Sequence, residues 1–502
     1  MTLIESFVKT RCMGRRKWTI ILILFLATAV RLIRIEQPFV DPWSWRQSDV
    51  AAIARNYFEN GFHFTRPQID WAGDSPGYVG TEFPILPFLA ALCYKTTGVQ
   101  DWIGRIQGVI FFAIGLPFFF LLIRRIFGEI TAGWATFFYA FAPLSIVASR
   151  AFMPDIPSLS LAFCGIYFFL IWLERNDLPS LIASALAISM ALLIKLPTAV
   201  IGASLLYLAW ERFRWNAARR WELWFFALVA LAPSAIWYEH AHRIAETFYP
   251  YHFFGGGGFR IMSAGWYWKI AEQTARSSLT PVLCALAIIG AFVAPRGKYM
   301  LLFHWWLAAM TAFIFLVGWG NRHQWYQLPL VPIAAVFAGY ACQRVVSKIG
   351  LRPVLLGSAA VLLAGAFGIS SYFCARPFYR PAAAGLRNLG LELKEATTPN
   401  ALIVAADDGD PTVFYYAHRK GWHFLENGIY EGNPIDSAQA IANFERLRNR
   451  GASHLVFYAG TDWWLKYYRE FAEHLLTSAT LVEQTPEFTI FRIQSPSAPT
   501  PP

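Results

Sequence analysis

Charge is scarce in this chain. Asp, Glu, Lys and Arg make up 15% of its 502 residues, where soluble domains carry about a quarter. With a mean hydropathy of +0.39 and aromatics at 17%, that scarcity excludes a soluble globular protein and leaves a polytopic membrane protein. Paired cysteines are missing too. Cys12, Cys93, Cys164, Cys284, Cys342 and Cys374 form no CxxC, and most fall inside or beside apolar runs. Neither a zinc site nor a disulfide framework is indicated, and these cysteines read as small buried hydrophobes. The chain has no internal repeat and no inverted symmetry of the kind common in transporters. Its net charge of +11 does not point to nucleic acid, because the basic residues come in short clusters between apolar runs, as membrane topology requires.

What is present in abundance is apolar sequence. Stretches long enough, or nearly long enough, to span a bilayer lie at about 18–35, 104–126, 130–148, 157–173, 180–194, 197–212, 221–239, 280–294, 299–318, 326–343 and 354–374. A shorter run, Phe83 to Tyr94, carries Pro84 and Pro87. The expected fold class is a polytopic α-helical membrane protein of about eleven to thirteen membrane helices with a small C-terminal α/β domain outside the membrane. Charge decides the threading. If the short run lies in the interface, Arg15, Arg16 and Lys17, Arg124 and Arg125, Glu174 and Arg175, Arg212, Arg214, Arg219 and Arg220, Arg296 and Lys298, and Arg344, Lys348 and Arg352 all fall on the cytoplasmic side. If it crosses, the later clusters all move outside. The run is therefore read as interfacial. The basic N-terminus with Ala27, Thr28 and Ala29 also resembles a cleavable signal, but Arg31 and Arg34 just beyond fit a retained anchor whose basic ends snorkel outward.

This threading gives residues 1–17 as a cytoplasmic N-terminus and 18–374 as the transmembrane domain, with outer regions at 36–103, 149–156 and 240–279. Residues 375–495 form the outer α/β domain, where ALIVAAD, GWHFL, SHLVFYAG and FTIFRI read as strands and SAQAIANFERLRNR as a helix. Residues 496–502, within SPSAPTPP, are a disordered tail. In the first outer loop, SDVAAIARNYFENG is expected to start a helix at Ser48 or Asp49 as N-cap and end it at Gly61. Val50, Ile53, Ala54, Tyr57 and Phe58 repeat at helical spacing, so it reads as an amphipathic helix on the membrane surface.

Outer-face acids ahead of the last domain are few, and the main ones are Asp41, Asp49, Asp70, Asp74, Glu82, Asp101 and Asp155. Asp155, in SRAFMPDIPS, reads either as the N-cap of the following helix or as a carboxylate aimed at the outer boundary. Glu82, in GTEFP, reads as a helix-start carboxylate. Lys195 and Arg260 either snorkel at the membrane edge or hold the phosphate of a lipid carrier. His240, His242 and His252 match no metal spacing. Trp43, Trp45, Trp71, Trp266, Trp268 and Trp325 fit an aromatic belt, with sugar stacking open to one or two of them.

Three stretches together resemble one family. They are DPWSWRQSDVAAIARNYFENG followed by YVGTEFPILPFLAAL, the turn SRAFMPDIP, and Tyr326, Gln327, Leu328 and Pro329 at the mouth of a late helix. They are similar to the GT-C superfamily of lipid-phosphate-sugar-dependent glycosyltransferases, in the bacterial branch of protein O-mannosyltransferases and aminoarabinose transferases. The resemblance covers roughly residues 18–345. It implies an inverting transfer at the outer face, in which a first-loop carboxylate deprotonates an acceptor hydroxyl and polyprenyl phosphate leaves. The family's first-loop acids fall here on Arg46 and Gln47, which leaves the base open between Asp41 and Asp49. By the same analogy Glu82 stands near the acceptor, Asp155 holds a divalent metal, Mg2+ or Mn2+, and Lys195, Arg260 and Tyr326 face the donor phosphate. The implied partners are a polyprenyl-phosphate-linked sugar, a lipid, glycan or protein acceptor, and the bilayer of a bacterial inner membrane.

A lipid or solute transporter is the alternative class, and it predicts ionisable groups near mid-bilayer, whereas here they cluster at helix ends. A non-catalytic scaffold is the third, and it predicts that Asp155 and the first-loop acids are dispensable. The threading itself is checked by cysteine accessibility: an engineered cysteine beside Arg219 is expected to react with a membrane-impermeant reagent only from the inner side.

Overall fold

The computed structural model describes residues 19–253, 258–294, 297–348, 352–426 and 432–495. Arg15, Arg16 and Lys17, most of the glycine run ahead of Arg260, Arg296 and the tail 496–502 lie outside the described residues. The chain divides into two compact units. One comprises the residues up to Ile35, Arg105–Glu239 and Gly255–Phe378, and the other comprises Glu36–Gly104, His240–Phe254 and Tyr379 onward. The second unit thus joins most of the first outer loop, a short central segment and the C-terminal domain.

In the first unit every apolar run read from the sequence is helical. Five helices among the described residues are long and apolar enough to cross a membrane, two bent pairs add to them, and Thr19–Arg31, Leu178–Ile194 and Leu302–Val317 are shorter apolar helices. Both bends follow from proline. Ala142 precedes Pro143 and is extended at ψ 140, and Thr280 precedes Pro281 at ψ 147. A residue before proline is pushed out of the α region, so these pairs break at 61° and 107°. Small residues allow helices to close up. At Gly290 a Cβ would fall inside the Phe337 carbonyl, which is why helix Pro281–Val293 can lie against Leu330–Lys348.

Loops expected on one side of the membrane touch one another. Arg125 pairs with Glu174, the Arg220 guanidinium donates to Asn176 Oδ1 at 2.8 Å, and Arg212 Nε donates to the Leu173 carbonyl at 3.0 Å. One expectation fails here. Arg31 does not snorkel: it is fully buried, lies 3.3 Å from the centroid of Phe112, and donates to the carbonyls of Ala27 and Ala140. Those carbonyls and the Phe112 ring satisfy the guanidinium inside the protein.

The second unit is built on a five-stranded sheet: β1 (Leu402–Ala406), β2 (Lys420–His423), β3 (His454–Tyr458), β4 (Ala479–Gln484) and β5 (Phe488–Ile493), in the order β2-β1-β3-β5-β4. β1 runs parallel to β2 and β3, and β5 is antiparallel to β3 and β4. Four of these strands were legible in the sequence. β4 was not, because Leu481, Val482 and Glu483 are exposed or half-exposed and show no clean alternation. Side chains alternate across the sheet. Ile403, Ala405, Val456 and Ile490 join one core, while Val404, Ala406, Leu455, Phe457 and Phe491 join the other.

The first-loop helix belongs to the former core. It spans Ser44–Asn60, and Ile53 and Tyr57 pack with Ile69, Leu386, Ile403 and Phe414. Two readings are corrected. The helix begins four or five residues before Ser48 and Asp49, with Trp43 at the N-cap, so neither side chain caps it. Its apolar face is also covered by protein rather than laid on lipid, and its residues are buried almost continuously to Tyr57. The helical spacing was right, and the partner was a domain far along the chain.

Candidate functional site

Each first-loop acid has a distinct set of partners. Asp41 Oδ1 accepts the backbone N–H of Trp43 at 3.1 Å and the Gln47 side-chain amide at 2.8 Å, so Asp41 pins the chain entering the helix. Arg46 donates to both oxygens of Glu82, at 2.7 and 2.6 Å, and Thr81 adds a hydroxyl donor at 2.9 Å. Glu82 is thus a counter-ion and does not start a helix: the next one begins at Ile85 behind Pro84. Asp70 forms a buried ion pair with Arg55 and accepts Asn56 at 3.0 Å, and Asp101 accepts the hydroxyls of Tyr415 and Tyr416 at 2.8 and 2.6 Å.

Asp49 is different. It lies in the second turn of the helix, is 3% exposed, and accepts the indole N–H of Trp71 at 2.9 Å. Burial removes water from its charged form and raises its pKa from 3.8 to about 7, against the opposing pull of Trp71, Arg46 and His423. Arg46 and Asp49 are three residues apart and share a helix face. Arg46 thus neutralises Glu82, and Gln47 holds Asp41.

The sheet supplies groups to the same place. His423 sits opposite Ala405 in the β1–β2 register, so alternation turns its side chain to the core that contains the first-loop helix, while Trp422 faces the other. Trp71 is carried there by the first loop, which pairs with the outer edge of β2: Gly73 N–H donates to the Gly421 carbonyl at 2.6 Å and Gly421 N–H to the Asp70 carbonyl at 3.0 Å. The Trp71 ring lies 5.0 Å from the His423 ring and 5.6 Å from that of His252. His423 Nδ1 is 2.8 and 2.9 Å from the two oxygens of Asp407, just beyond the end of β1. Asp410 accepts the Ser44 hydroxyl at 2.6 Å and the Thr412 N–H at 3.0 Å. Burial raises the Asp407 and Asp410 carboxyls, and burial lowers His252 to about 4. Asp407, Asp410 and His423 were not singled out in the sequence. Two signals were there: an acid directly after a parallel strand and a histidine closing its neighbour, the strand ends where α/β sheets place their chemistry.

In the first unit the structure gathers Asp155, Lys195 and Tyr326. Asp155 opens helix Asp155–Arg175 behind Pro154 with no side-chain cap bond, so it is not the N-cap. Its Oδ1 is 3.3 Å from Lys195 Nζ, with both side chains buried, and that ammonium lies 4.5 Å from the Tyr326 ring centroid. All three line one small cavity with Thr198, Trp325 and Pro329. Lys195 ends helix Leu178–Ile194 in extended backbone ahead of Pro197, and the Ser158 and Thr198 hydroxyls lie 2.6 Å apart, tying the two segments together. Arg260 does not join them. It is exposed, its guanidinium lies 4.9 Å from the Trp319 ring, and its N–H donates to the Leu316 carbonyl.

Within this unit the residues around Asp155 do not fit a divalent cation, which takes several oxygen ligands: one carboxylate faces one ammonium. Among the described residues no group of three or more His, Cys, Asp or Glu is placed to hold a metal, the loop histidines 240, 242 and 252 included. Beside the cavity runs an apolar groove of about 540 Å³, lined by Phe169, Ile188, Leu192, Leu205, Trp210 and Trp224 among others. The 3-10 turn Leu196–Ile201 separates the two, with Pro197 and Thr198 on the cavity and Ala199 and Ile201 on the groove.

Residues 76–237 match the model of a family described as dolichyl-phosphate-mannose-protein mannosyltransferase. Among solved structures, ArnT from Cupriavidus metallidurans bound to undecaprenyl phosphate is 17% identical, with a TM-score of 0.67 over 94% of this chain and 97% of that one. The oligosaccharyltransferase AglB from Archaeoglobus fulgidus, in complex with an inhibitory peptide and a dolichol-phosphate, is 12% identical, with a TM-score of 0.63 over 97% and 75%. The Archaeoglobus enzyme in complex with Zn and sulfate is 11% identical, with a TM-score of 0.59 over 93% and 72%. No curated protein matches the sequence at a significant level. These structures show that the chain has the GT-C fold, and the family match over residues 76–237 agrees with the resemblance that the sequence motifs carried.

Removing one partner of the buried Asp155–Lys195 pair strands a charge. Lys195→Met and Asp155→Asn are each expected to cost about 3–5 kcal/mol, and the double variant less than their sum, read as thermal midpoints in lipid nanodiscs.

Proposed function

We propose that the chain is an inverting glycosyltransferase that moves a sugar from a polyprenyl-phosphate donor to a hydroxyl of a lipid, glycan or protein acceptor. The reaction takes place at the outer face of a bacterial inner membrane, with the N-terminus cytoplasmic and the sheet domain periplasmic, as the positive clusters indicate. The observation that carries this reading is Asp49, a buried carboxylate at about 7 among acids already engaged by arginine, amide or tyrosine partners. A base ionising near the working pH is what proton abstraction from a hydroxyl needs.

Asp49 takes the acceptor's hydroxyl proton as the oxygen attacks the anomeric carbon on the face opposite the phosphate. The anomeric C–O bond breaks, its electron pair leaves on the phosphate, and the configuration inverts. Lys195 meets the charge on the departing phosphate, and Tyr326 fixes the ammonium by a cation–π contact. The apolar groove beside the 3-10 turn suits the polyprenyl chain, whose burial is worth about 0.8 kcal/mol per CH2. Arg46 and Glu82 fix the floor under the acceptor and Gln47 fixes Asp41. No step is routed through a metal.

Release of undecaprenyl phosphate from undecaprenyl-phosphate sugars, with an envelope acceptor pool, tests this in nanodiscs. Asp49→Asn is expected to cut the rate by about 10²–10⁴-fold, Asp41→Asn far less, and the wild-type rate to rise with pH through a midpoint of about 7. The reverse order of the two variants would move the base to Asp41. An acid raised from 3.8 to about 7 holds its proton more tightly when folded, so its contribution to stability falls as pH rises across that window. Asp49→Asn should therefore melt no earlier than wild type at alkaline pH, which separates lost chemistry from lost fold.

A further inference from the structure

His423 presents a buried group that the proposed reaction does not use. Its side chain and that of Asp407 are each 1% exposed. Asp407 engages Nδ1 with both oxygens, yet Nε2 is buried and makes no hydrogen bond. A buried polar atom left unmet costs about 1–3 kcal/mol, so this imidazole is not placed for stability. β1 and β2 are already joined by their backbone ladder. What the ring does touch is Phe414, at 5.4 Å, and Trp71, at 5.0 Å, the indole whose N–H Asp49 accepts.

We propose that His423, oriented by Asp407, is a positioning residue for Asp49: its ring packs against the Trp71 indole and holds that N–H in line with the carboxylate, whose charged form the hydrogen bond favours. This rests on Asp49 being the base. Asp49 feels Arg46 on its own helix, His423 from β2 and Asp410 from the loop after β1, and of these only Asp410 opposes ionisation. Asp407 and Asp410 both face His423, while His252, on the far side of Trp71, feels Arg46, His423 and Glu82. The C-terminal domain thereby acts on the first loop's chemistry through one ring.

Dicyclohexylcarbodiimide reacts with protonated carboxyls shielded from water, so the labelled fraction of the Asp49 peptide, read by mass spectrometry against pH on the full chain in nanodiscs, reports its ionisation without any substrate. The wild-type midpoint is expected at about 7. His423→Gln should raise it by about one pH unit, and Asp407→Asn should move it the same way. The rising limb of the transfer rate should follow in both variants, with the rate recovering at high pH. A folded His423→Gln or Asp407→Asn whose midpoint stays at the wild-type value overturns the proposal, since a merely structural pair would lower the melting temperature and the rate at every pH alike. If His423→Gln does not fold, Asp407→Asn alone decides. If the labelling midpoint moves but wild type releases no polyprenyl phosphate from any donor, the coupling stands and the glycosyltransferase reading fails.

Discussion

The proposed reaction depends on the exclusion of water from Asp49. An exposed aspartate ionises near 4 and is too weak a base for a sugar hydroxyl, whereas one stripped of solvent and given a single neutral donor ionises near neutrality. That exclusion requires a cover. The helix carrying Asp49 has it because Ile53 and Tyr57 are part of the same core as Ile403, Phe414 and Ile490 of the sheet domain. Trp71 supplies both the indole donor and part of the seal. Around this point the other charges are cancelled in pairs, Arg46 with Glu82 and Arg55 with Asp70, so the local field at Asp49 is set by few groups.

The second cluster works by a different balance. Lys195 is buried against one carboxylate and one aromatic face. Proline marks both positions: Pro154 precedes the helix that Asp155 opens, and Pro197 lies in the 3-10 turn that follows Lys195 at the end of helix Leu178–Ile194. The same short turn divides the cavity that holds the Asp155–Lys195 pair from an apolar groove.

Much of this was legible in the sequence. Hydropathy located each membrane helix of the first unit, and the proline-bearing runs broke where the residue before proline had to leave the helix. The acids of the first loop, Asp155, Lys195 and Tyr326 were all in view. What the sequence hid was long-range. Periodicity at Val50, Ile53 and Tyr57 announces an apolar face without saying whether lipid or protein will cover it, and the cover lies in the last quarter of the chain. Asp407 and His423 looked like the ends of ordinary strands, since only the β1–β2 register brings them together. Arg31 read as a snorkelling cation because its acceptors, the carbonyl of Ala140 and the Ser145 hydroxyl, are contributed by a distant helix.

The partnership of the first loop with the last strands also orders events in the life of the molecule. A membrane protein is threaded from its N-terminus, so on the proposed topology Asp49 is translocated while most of the helices and all of the sheet are still to be made. Until β1 and β2 arrive it is an ordinary hydrated aspartate, and on the proposed reaction the growing chain carries no competent base. Activity would then wait on the sheet: a molecule stalled or clipped before β1 retains its membrane helices but lacks the strands that dry the acid.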